Sequence, residues 1–406
     1  MDVFRNESMP TEPMTRDIAA DKVMRSMFNH TTFLLLGGYA ISSAISRCKV
    51  EISIASILQT FFGKHPRAFV LAIMFLGLFL SMWISNHTAP ILCSTIILPV
   101  LKDLPPDSQY TKTLLLGLAF ACNFGGMMTP IASVNNVLAV SSLEHAGIDI
   151  SFGMWMIFSV PFGVISVLLS WVIIMLAFDT DDVKEIPLII HHQMDNLGQK
   201  RRVSIVTVSA ITIGMFATSN ATVDTFGDIG IISLLFLTFI FGSGLLTEVD
   251  FNSMNWHTLC LVGSGDVLGK AVTSSGLLHY VTQALMELIP LENAWAALVG
   301  ILVIVCIVGT FISHTVAAIV LMPVIANIGV KLDMPEEVVI GSAFAISSAM
   351  SLPFSSFPNL NAAMLKDDHN EPFLRVTDFL RVGIPITIIT LGLISTLGLS
   401  LIHASI

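Results

Sequence analysis

An all-α polytopic membrane fold is what this sequence predicts, built from two inverted repeats that each carry a re-entrant hairpin and a broken helix. Three observations predict it. Hydrophobic residues fill 54% of the 406 positions and charged residues only 12%, with a mean hydropathy of +0.82, a balance that belongs in a bilayer. Two apolar stretches are interrupted by nearly the same polar tip, Trp83-Ile84-Ser85-Asn86-His87-Thr88 and Phe311-Ile312-Ser313-His314-Thr315. After each tip the same landmarks follow in register at an offset of 224 residues: Leu98-Pro99-Val100 returns as Met322-Pro323-Val324, and Gly-x-Ala-Phe-Ala opens at both Gly117 and Gly341.

Taken in chain order, residues 1–32 are polar, of mixed charge, and lack the apolar core of a cleavable signal peptide, so targeting falls to the spans themselves. Apolar segments near 33–60, 68–101 with its polar interruption, 112–143 with a glycine break, and 154–178 make a first repeat over 33–178. Residues 179–202 then gather Asp179, Asp181, Asp182, Lys184, Glu185, His191, His192, Lys200, Arg201 and Arg202, the composition of a solvated linker. A second repeat over 203–406 holds apolar segments near 203–219, 229–246, 257–286, 296–330 with its interruption, 339–365 with a proline and serine break, and 382–404. Two spans precede Leu261-Val262-Gly263 in the second repeat, whereas the first begins almost at once with Leu36-Gly37-Gly38. Equivalence of the repeats therefore predicts two spans before Leu34 and an N-terminally incomplete scaffold.

The interrupted segments read poorly as simple spans. A Ser-Asn-His-Thr cluster with Pro90 behind it would strand backbone groups in hydrocarbon, and an arm such as Phe69 to Ile84, about 16 residues, is short for a crossing. Hairpins that dip into the membrane place the tip where protein or water satisfies it. Lys64, Arg67, Lys102 and Lys112 against Asp103 and Asp107 flank the first hairpin, while Lys331 against Glu287, Glu292, Asp333, Glu336 and Glu337 flanks the second. The positive-inside rule then brings the first hairpin in from the cytoplasm and the second from outside, with the linker cytoplasmic and the acidic 220–228 turn external.

Chemistry follows from the helix ends. N-termini expose unpaired N–H groups and a partial positive charge, so two facing tips hold an oxyanion without a dedicated cation, with Ser85, Asn86, Thr88, Ser313 and Thr315 as short donors. Phe124 to Pro130 and Met350 to Ser356 should unwind, and freed carbonyls of that kind coordinate sodium in transporters. A net charge of −10 argues against nucleic acid as a partner. Five cysteines stand singly in apolar surroundings as packing residues, and no His-Glu-x-x-His pattern or Cys and His cluster points to an enzyme. An anion channel shares the oxyanion-friendly tips and stays open as an alternative. Asp266 and Lys270, four apart, read first as an ion pair on one helix face, and otherwise as a cation or proton ligand near the site.

These residues resemble the divalent anion:sodium symporters, whose tips carry Ser-Asn-Thr and whose broken helices end in small residues, proline and asparagine. Ser85-Asn86 and Ser313-His314-Thr315 stand for the tips, and Ala132-Ser133-Val134-Asn135-Asn136 and Ser355-Ser356-Phe357-Pro358-Asn359 for the ends of the broken helices. Met82 to Pro90 and Phe311 to Ala318 are most similar to the fungal low-affinity phosphate transporters of this fold, and the resemblance covers about residues 20–400. It implies an elevator-type homodimer in the plasma or vacuolar membrane, moving an inorganic oxyanion, foremost phosphate, with sodium and no other cofactor. Dicarboxylate, citrate or sulfate remain alternative cargoes. Carried over residue by residue, it implies substrate contacts from Ser85, Asn86, His87, Thr88, Ser133, Ser313, His314, Thr315 and Ser356, and sodium contacts from Ser85, Asn86, Gly125, Ala132, Thr310, His314 and Ser355. The chain departs from the pattern at His87, where the family has threonine, and at His314, where it has asparagine; the latter keeps proton coupling open beside sodium. It also has 14 residues from Ser85 to Pro99 against 10 from Ser313 to Pro323, and no soluble SPX domain of the kind that precedes the spans in the phosphate branch.

Overall fold

The computed structural model describes residues 14–48, 57, 60–102, 104, 108–180, 183, 186, 198–218, 226, 229–254, 256–275, 294–367, 371–398 and 400. Among them no strand forms, only an isolated bridge between Lys366 and Pro372. The first part runs α1 (Arg16–Met27), α2 (His30–Arg47), α3 (Pro66–Ile84), α4 (Thr88–Lys102), α5 (Gln109–Gly125), α6 (Val134–His145) and α7 (Phe152–Ala177). The second runs α8 (Gln199–Ala217), α9 (Ile229–Gly242), α10 (Glu248–Asn252), α11 (Trp256–Ser274), α12 (Ala294–Phe311), α13 (His314–Lys331), α14 (Pro335–Ser348), α15 (Phe357–Met364) and α16 (Val376–Leu393), which closes in a π-turn over Ile394–Gly398. Local chemistry sets several starts. Asn29, Ser108 and Ser151 accept from first-turn N–H groups of α2, α5 and α7, and proline opens α3 and α14, where its missing N–H costs nothing.

The duplicated landmarks become a duplicated order of helices. Each repeat presents a helix–tip–helix pair, α3 with α4 and α12 with α13, then a broken helix, α5/α6 and α14/α15, then a long helix with an internal proline, Pro161 in α7 and Pro385 in α16. The helices that carry Gly-x-Ala-Phe-Ala, α5 and α14, are the centre of the molecule. Every residue from Thr113 to Gly125 and from Glu337 to Ser348 is buried. Glycine permits that density: a Cβ at Gly77 of α3 would meet Leu118 of α5 at 2.7 Å, and one at Gly117 would meet the Met74 sulfur at 3.1 Å. Phe344 of α14 stacks on Phe162 of α7 with ring centroids 5.1 Å apart and meets Trp155 edge-on at 5.8 Å. Lys112 at the start of α5 pairs with Asp378 at the start of α16 at 3.0 Å, and the other oxygen of that carboxylate accepts the Arg375 N–H at 2.8 Å.

Around this core the surface is apolar. Four helices are long and apolar enough to cross a membrane, Pro66–Ile84, Phe152–Ala177, His314–Lys331 and Val376–Thr396, and only 33% of the most apolar window of α7 is buried. Its outward face carries Ile157, Leu168, Val172 and Leu176, the last 83% exposed, which is a lipid-facing surface. The protein is an integral membrane protein.

Structure and sequence reading differ in places. The first arm begins at Pro66 rather than Phe69, giving 19 residues and about 28 Å at the usual helical rise, close to a bilayer core. Arm length therefore does not identify the hairpin; its pinned polar tip does. The apolar segment read over 33–60 ends as helix at Arg47, with 49–56 outside the described residues, and the one read over 257–286 is helical to Ser274, with 276–293 outside them. Much of the 179–202 linker and of the 220–228 turn, together with Glu287, Glu292 and the Asp266 side chain, also lies outside them. Of the four extra residues between Ser85 and Pro99, two enlarge the tip turn, because α4 starts three residues after its serine and α13 one, and two lengthen the helix before proline.

Gly383 of α16 lies against the second break, where an added Cβ would sit 2.7 Å from the Ser351 Cα and 2.8 Å from the Met350 oxygen. Backbone yields little, so Gly383→Ala is expected to destabilise the protein by about 1–3 kcal/mol. Thermal unfolding of the purified protein should show a lowered midpoint; an unchanged one would contradict this contact.

Candidate functional site

The site starts from two tips that are each tied to the break in their own repeat. In the first, Ser85 adopts φ 97°, a conformation uncommon for a residue with a side chain, and its Oγ accepts the His87 N–H at 3.2 Å. The Asn86 N–H donates to Ala132 O at 3.0 Å. In the second, the His314 N–H donates to Ser355 O at 2.9 Å. The correspondence is close: in each repeat the residue after the tip serine bonds the carbonyl just before the serine that starts the second half of the broken helix. The side chains diverge. Ser85 is buried and closes its turn, whereas Ser313 is exposed and makes no cap hydrogen bond.

The breaks, residues 126–133 and 349–356, are held open by asparagine. Asn136 Nδ2 donates to Gly126 O and Thr129 O, both at 2.7 Å, and Asn359 Nδ2 donates to Met350 O at 2.9 Å and Leu352 O at 3.1 Å. The long helices brace the outer side. Trp155 Nε1 and Ser159 Oγ of α7 donate to Met127 O and Met128 O at 2.8 and 2.7 Å, and Thr387 Oγ1 of α16 donates to Ser348 O at 2.9 Å. Two bonds clasp the repeats to each other, Asn123 Nδ2 to Asn359 Oδ1 at 3.0 Å and Asn135 Nδ2 to Ser347 Oγ at 2.9 Å. These carbonyls thus meet fixed donors in a setting where an unpaired one costs about 1–3 kcal/mol.

Between the tips lies a cavity of about 210 Å³. Asn86 and His87 line it from the first tip, Ser313, His314 and Thr315 from the second, and Asn135 and Ser356 from the restarted helices, with Val134, Phe354, Phe357 and Leu360 as its apolar wall. Helices α6, α13 and α15 all begin on this cavity, and α4 begins one residue past His87. Among the described residues no lysine, arginine or carboxylate lines it. The His87 ring lies 5.0 Å from that of Phe357 and joins the first tip to the second repeat. The volume falls below the roughly 300–1,000 Å³ typical of pockets for drug-sized ligands, which favours a small ion.

The other residues singled out from sequence take varied places. Ser133 is buried beside Ala132, and its Oγ makes no cap bond. Ser356 Oγ accepts the Asn359 N–H at 3.4 Å. Gly125 O, Ala132 O and Ser355 O accept from Met128, Asn86 and His314, so each already serves the fold with one lone pair. Gly125 itself touches the Leu78 carbonyl so closely that no side chain fits there. Ser85, Ser133, Gly125, Ala132 and Ser355 belong to the first tip and the breaks or their edges without lining the inter-tip cavity, and two more residues are placed elsewhere. Thr310 Oγ1 donates to Cys306 O on its own helix at 2.9 Å, and Thr88 lines a separate cavity of about 260 Å³ with Arg47 and Asp250, because the wider first turn carries it past the tip. The clasp residue Asn123 was not singled out from sequence; a lone amide in the apolar run of α5 was the available signal.

Comparison with known proteins follows the same lines. Residues 9–333 match the family model described as citrate transporter. The chain is 33% identical to the inorganic phosphate transporter PHO87 of Saccharomyces cerevisiae over 94% of its own length and 41% of the yeast protein. It is 24% identical to the sodium-dependent dicarboxylate transporter SdcS of Staphylococcus saprophyticus over 86% of its length and 73% of that protein. Among solved structures it is similar to the YdaH transporter of Alcanivorax borkumensis, with a TM-score of 0.57 at 13% identity, covering 96% of this chain and 88% of that one. The chain spans less than half the length of the fungal relatives it matches. It belongs to the citrate transporter family, and its similarity to fungal phosphate transporters and to a dicarboxylate transporter of the divalent anion:sodium symporter type extends over most of the chain.

Proposed function

We propose that the chain is a secondary transporter of an inorganic oxyanion, foremost phosphate, coupled to sodium. The convergence of both tips and both restarted helices on one small cavity carries the reading. Helix N-termini supply unpaired N–H groups and partial positive charge, and Ser313, Thr315, Asn135 and His87 add neutral donors, so a compact anion is held without a lysine or arginine among the described lining residues. A cavity of about 210 Å³ suits phosphate better than citrate. The 33% identity to a yeast protein named for inorganic phosphate, against 24% to one named for dicarboxylates, favours the same cargo.

Sodium fits the first break. Asn86 Oδ1, Asn123 Oδ1, Ser133 Oγ and Asn136 Oδ1 are buried with no hydrogen-bond partner among the described residues, and they belong to the tip and break around Gly126 and Ala132. Neutral amide and hydroxyl oxygens with no carboxylate suit a hard monovalent cation rather than a divalent one. An anion beside that cation lowers the burial cost of both, which is the physical basis for moving them together. In this reading 33–178 and 203–406 form the two repeats around the cytoplasmic 179–202 linker, the hairpins enter from opposite faces, and the block carrying both tips moves as an elevator within a homodimer. Proton coupling is the second reading, favoured by the two histidines on the cavity.

Flux into proteoliposomes separates these readings. Phosphate uptake is expected to saturate, to exceed that of sulfate and succinate, and to rise with an inward sodium gradient; uptake that follows only a pH gradient would favour protons, and non-saturating flux a channel. Ser85→Ala combined with Ser313→Ala is expected to lower phosphate uptake about tenfold or more, equivalent to about 1.4 kcal/mol. Uptake at the unaltered level would remove the tips from the binding site.

A further inference from the structure

Duplication by itself predicts two cation sites, one per break, and the structure treats the breaks unequally. Each of the four unpartnered oxygens in the first break has a counterpart in the second. Opposite Asn86 stands His314, whose Nε2 meets Ala349 O at 3.0 Å; since a carbonyl only accepts, that ring atom bears the hydrogen. The matching first-repeat contact is of another kind. Asn86 packs over Gly126, with its Cβ 2.8 Å from where a Gly126 Cβ would lie, and its Oδ1 stays unpartnered.

The remaining three follow suit. Opposite Asn123, at the 224-residue offset of the Gly-x-Ala-Phe-Ala helices, is Ser347, whose Oγ accepts from Asn135 Nδ2. Opposite Ser133 is Ser356, whose Oγ accepts from the Asn359 N–H. Opposite Asn136 is Asn359, whose Oδ1 accepts from Asn123. That clasp is the origin of the asymmetry: it consumes the amide oxygen of the second repeat and, by taking Asn123 Nδ2, leaves the oxygen of Asn123 free in the first. Ser348 Oγ, on the last residue before the second break, is the one side-chain oxygen beside it that is buried without a partner among the described residues, against the four of the first break and the about six oxygens that a hard cation gathers.

We infer that the chain binds one cation, held in the first break by Asn86, Asn123, Ser133 and Asn136, and that in the second break the His314 imidazole N–H replaces a cation as the partner of the Ala349 carbonyl. This rests on the sodium reading above and fixes its stoichiometry. A donor at the Ala349 oxygen supplies from the fold the positive partner that a bound ion would otherwise bring, so the second tip stays docked in every state of loading.

Equilibrium binding of radioactive sodium to the purified full chain, with phosphate binding measured in parallel, tests it. About one sodium per chain is expected, with a Hill coefficient near one. Ser133→Ala is expected to weaken sodium binding about tenfold, while Ser348→Ala leaves it within about twofold. About two sodium ions per chain, or an equal loss in Ser348→Ala and Ser133→Ala, would overturn the inference while leaving sodium coupling intact. No bound sodium at all would overturn both, and phosphate binding retained in that sample would leave the oxyanion reading standing. Should Ser133→Ala fail to yield folded protein, Asn86→His serves in its place: an imidazole in the first tip is expected to abolish the one site, and sodium binding that survives it would count against the inference.

Discussion

Unwound backbone inside an apolar interior must be hydrogen-bonded by the protein itself, and the architecture is organised around that requirement. Two breaks free a set of carbonyls with no water to receive them. Asn136 and Asn359 each bridge two of those carbonyls with one amide, and Trp155, Ser159 and Thr387 close others from the long helices behind. Because the donors sit on separate helices, the breaks cannot relax without pulling α7 or α16 away from the core. The rigidity of the site is therefore a consequence of polar satisfaction, and the dense packing of α5 and α14 keeps the donors in register.

Once the breaks are fixed, the tips follow. Each docks through a single backbone N–H, Asn86 on Ala132 and His314 on Ser355, and that docking turns the restarted helices toward a shared cavity. The charge pattern of the site is thereby made from helix ends and neutral side chains, without a lysine or arginine among the described lining residues. Such a field carries little desolvation cost and suits the proposed anion. The small volume and the apolar wall of Val134, Phe354, Phe357 and Leu360 then limit what enters. Mechanism and fold share one origin: helix interruptions are unstable in lipid unless bonded, and once bonded they present aligned dipoles to a ligand.

Much of this was readable in the chain. Polar tips within apolar runs, prolines, and two Gly-x-Ala-Phe-Ala helices at one offset are local patterns, and local patterns survive in sequence. The positions of both tips and both breaks could be assigned, as could the residues of the tips that line the cavity, Asn86, His87, Ser313, His314 and Thr315. Thr88 and Thr310 show where such reading stops. Both are small polar residues beside a tip, yet one faces a different cavity and the other bonds its own helix, because a turn two residues longer or a helix carbonyl one turn back redirects the side chain. Neither effect leaves a compositional trace.

Sequence alone determined that this is a duplicated membrane protein with paired interruptions, since hydropathy and repetition are properties of the chain. Tertiary structure alone decided which lone pairs are spent and which remain. Asn123 and Asn359 lie 236 residues apart, and only their meeting decides that one amide oxygen is consumed and the other has no partner among the described residues. Likewise the order of residues cannot say that the imidazole of His314 reaches the Ala349 carbonyl while the amide oxygen of Asn86 reaches nothing. Hydrogen-bond ownership is settled by geometry between elements, and geometry between elements exists only after the helices have packed.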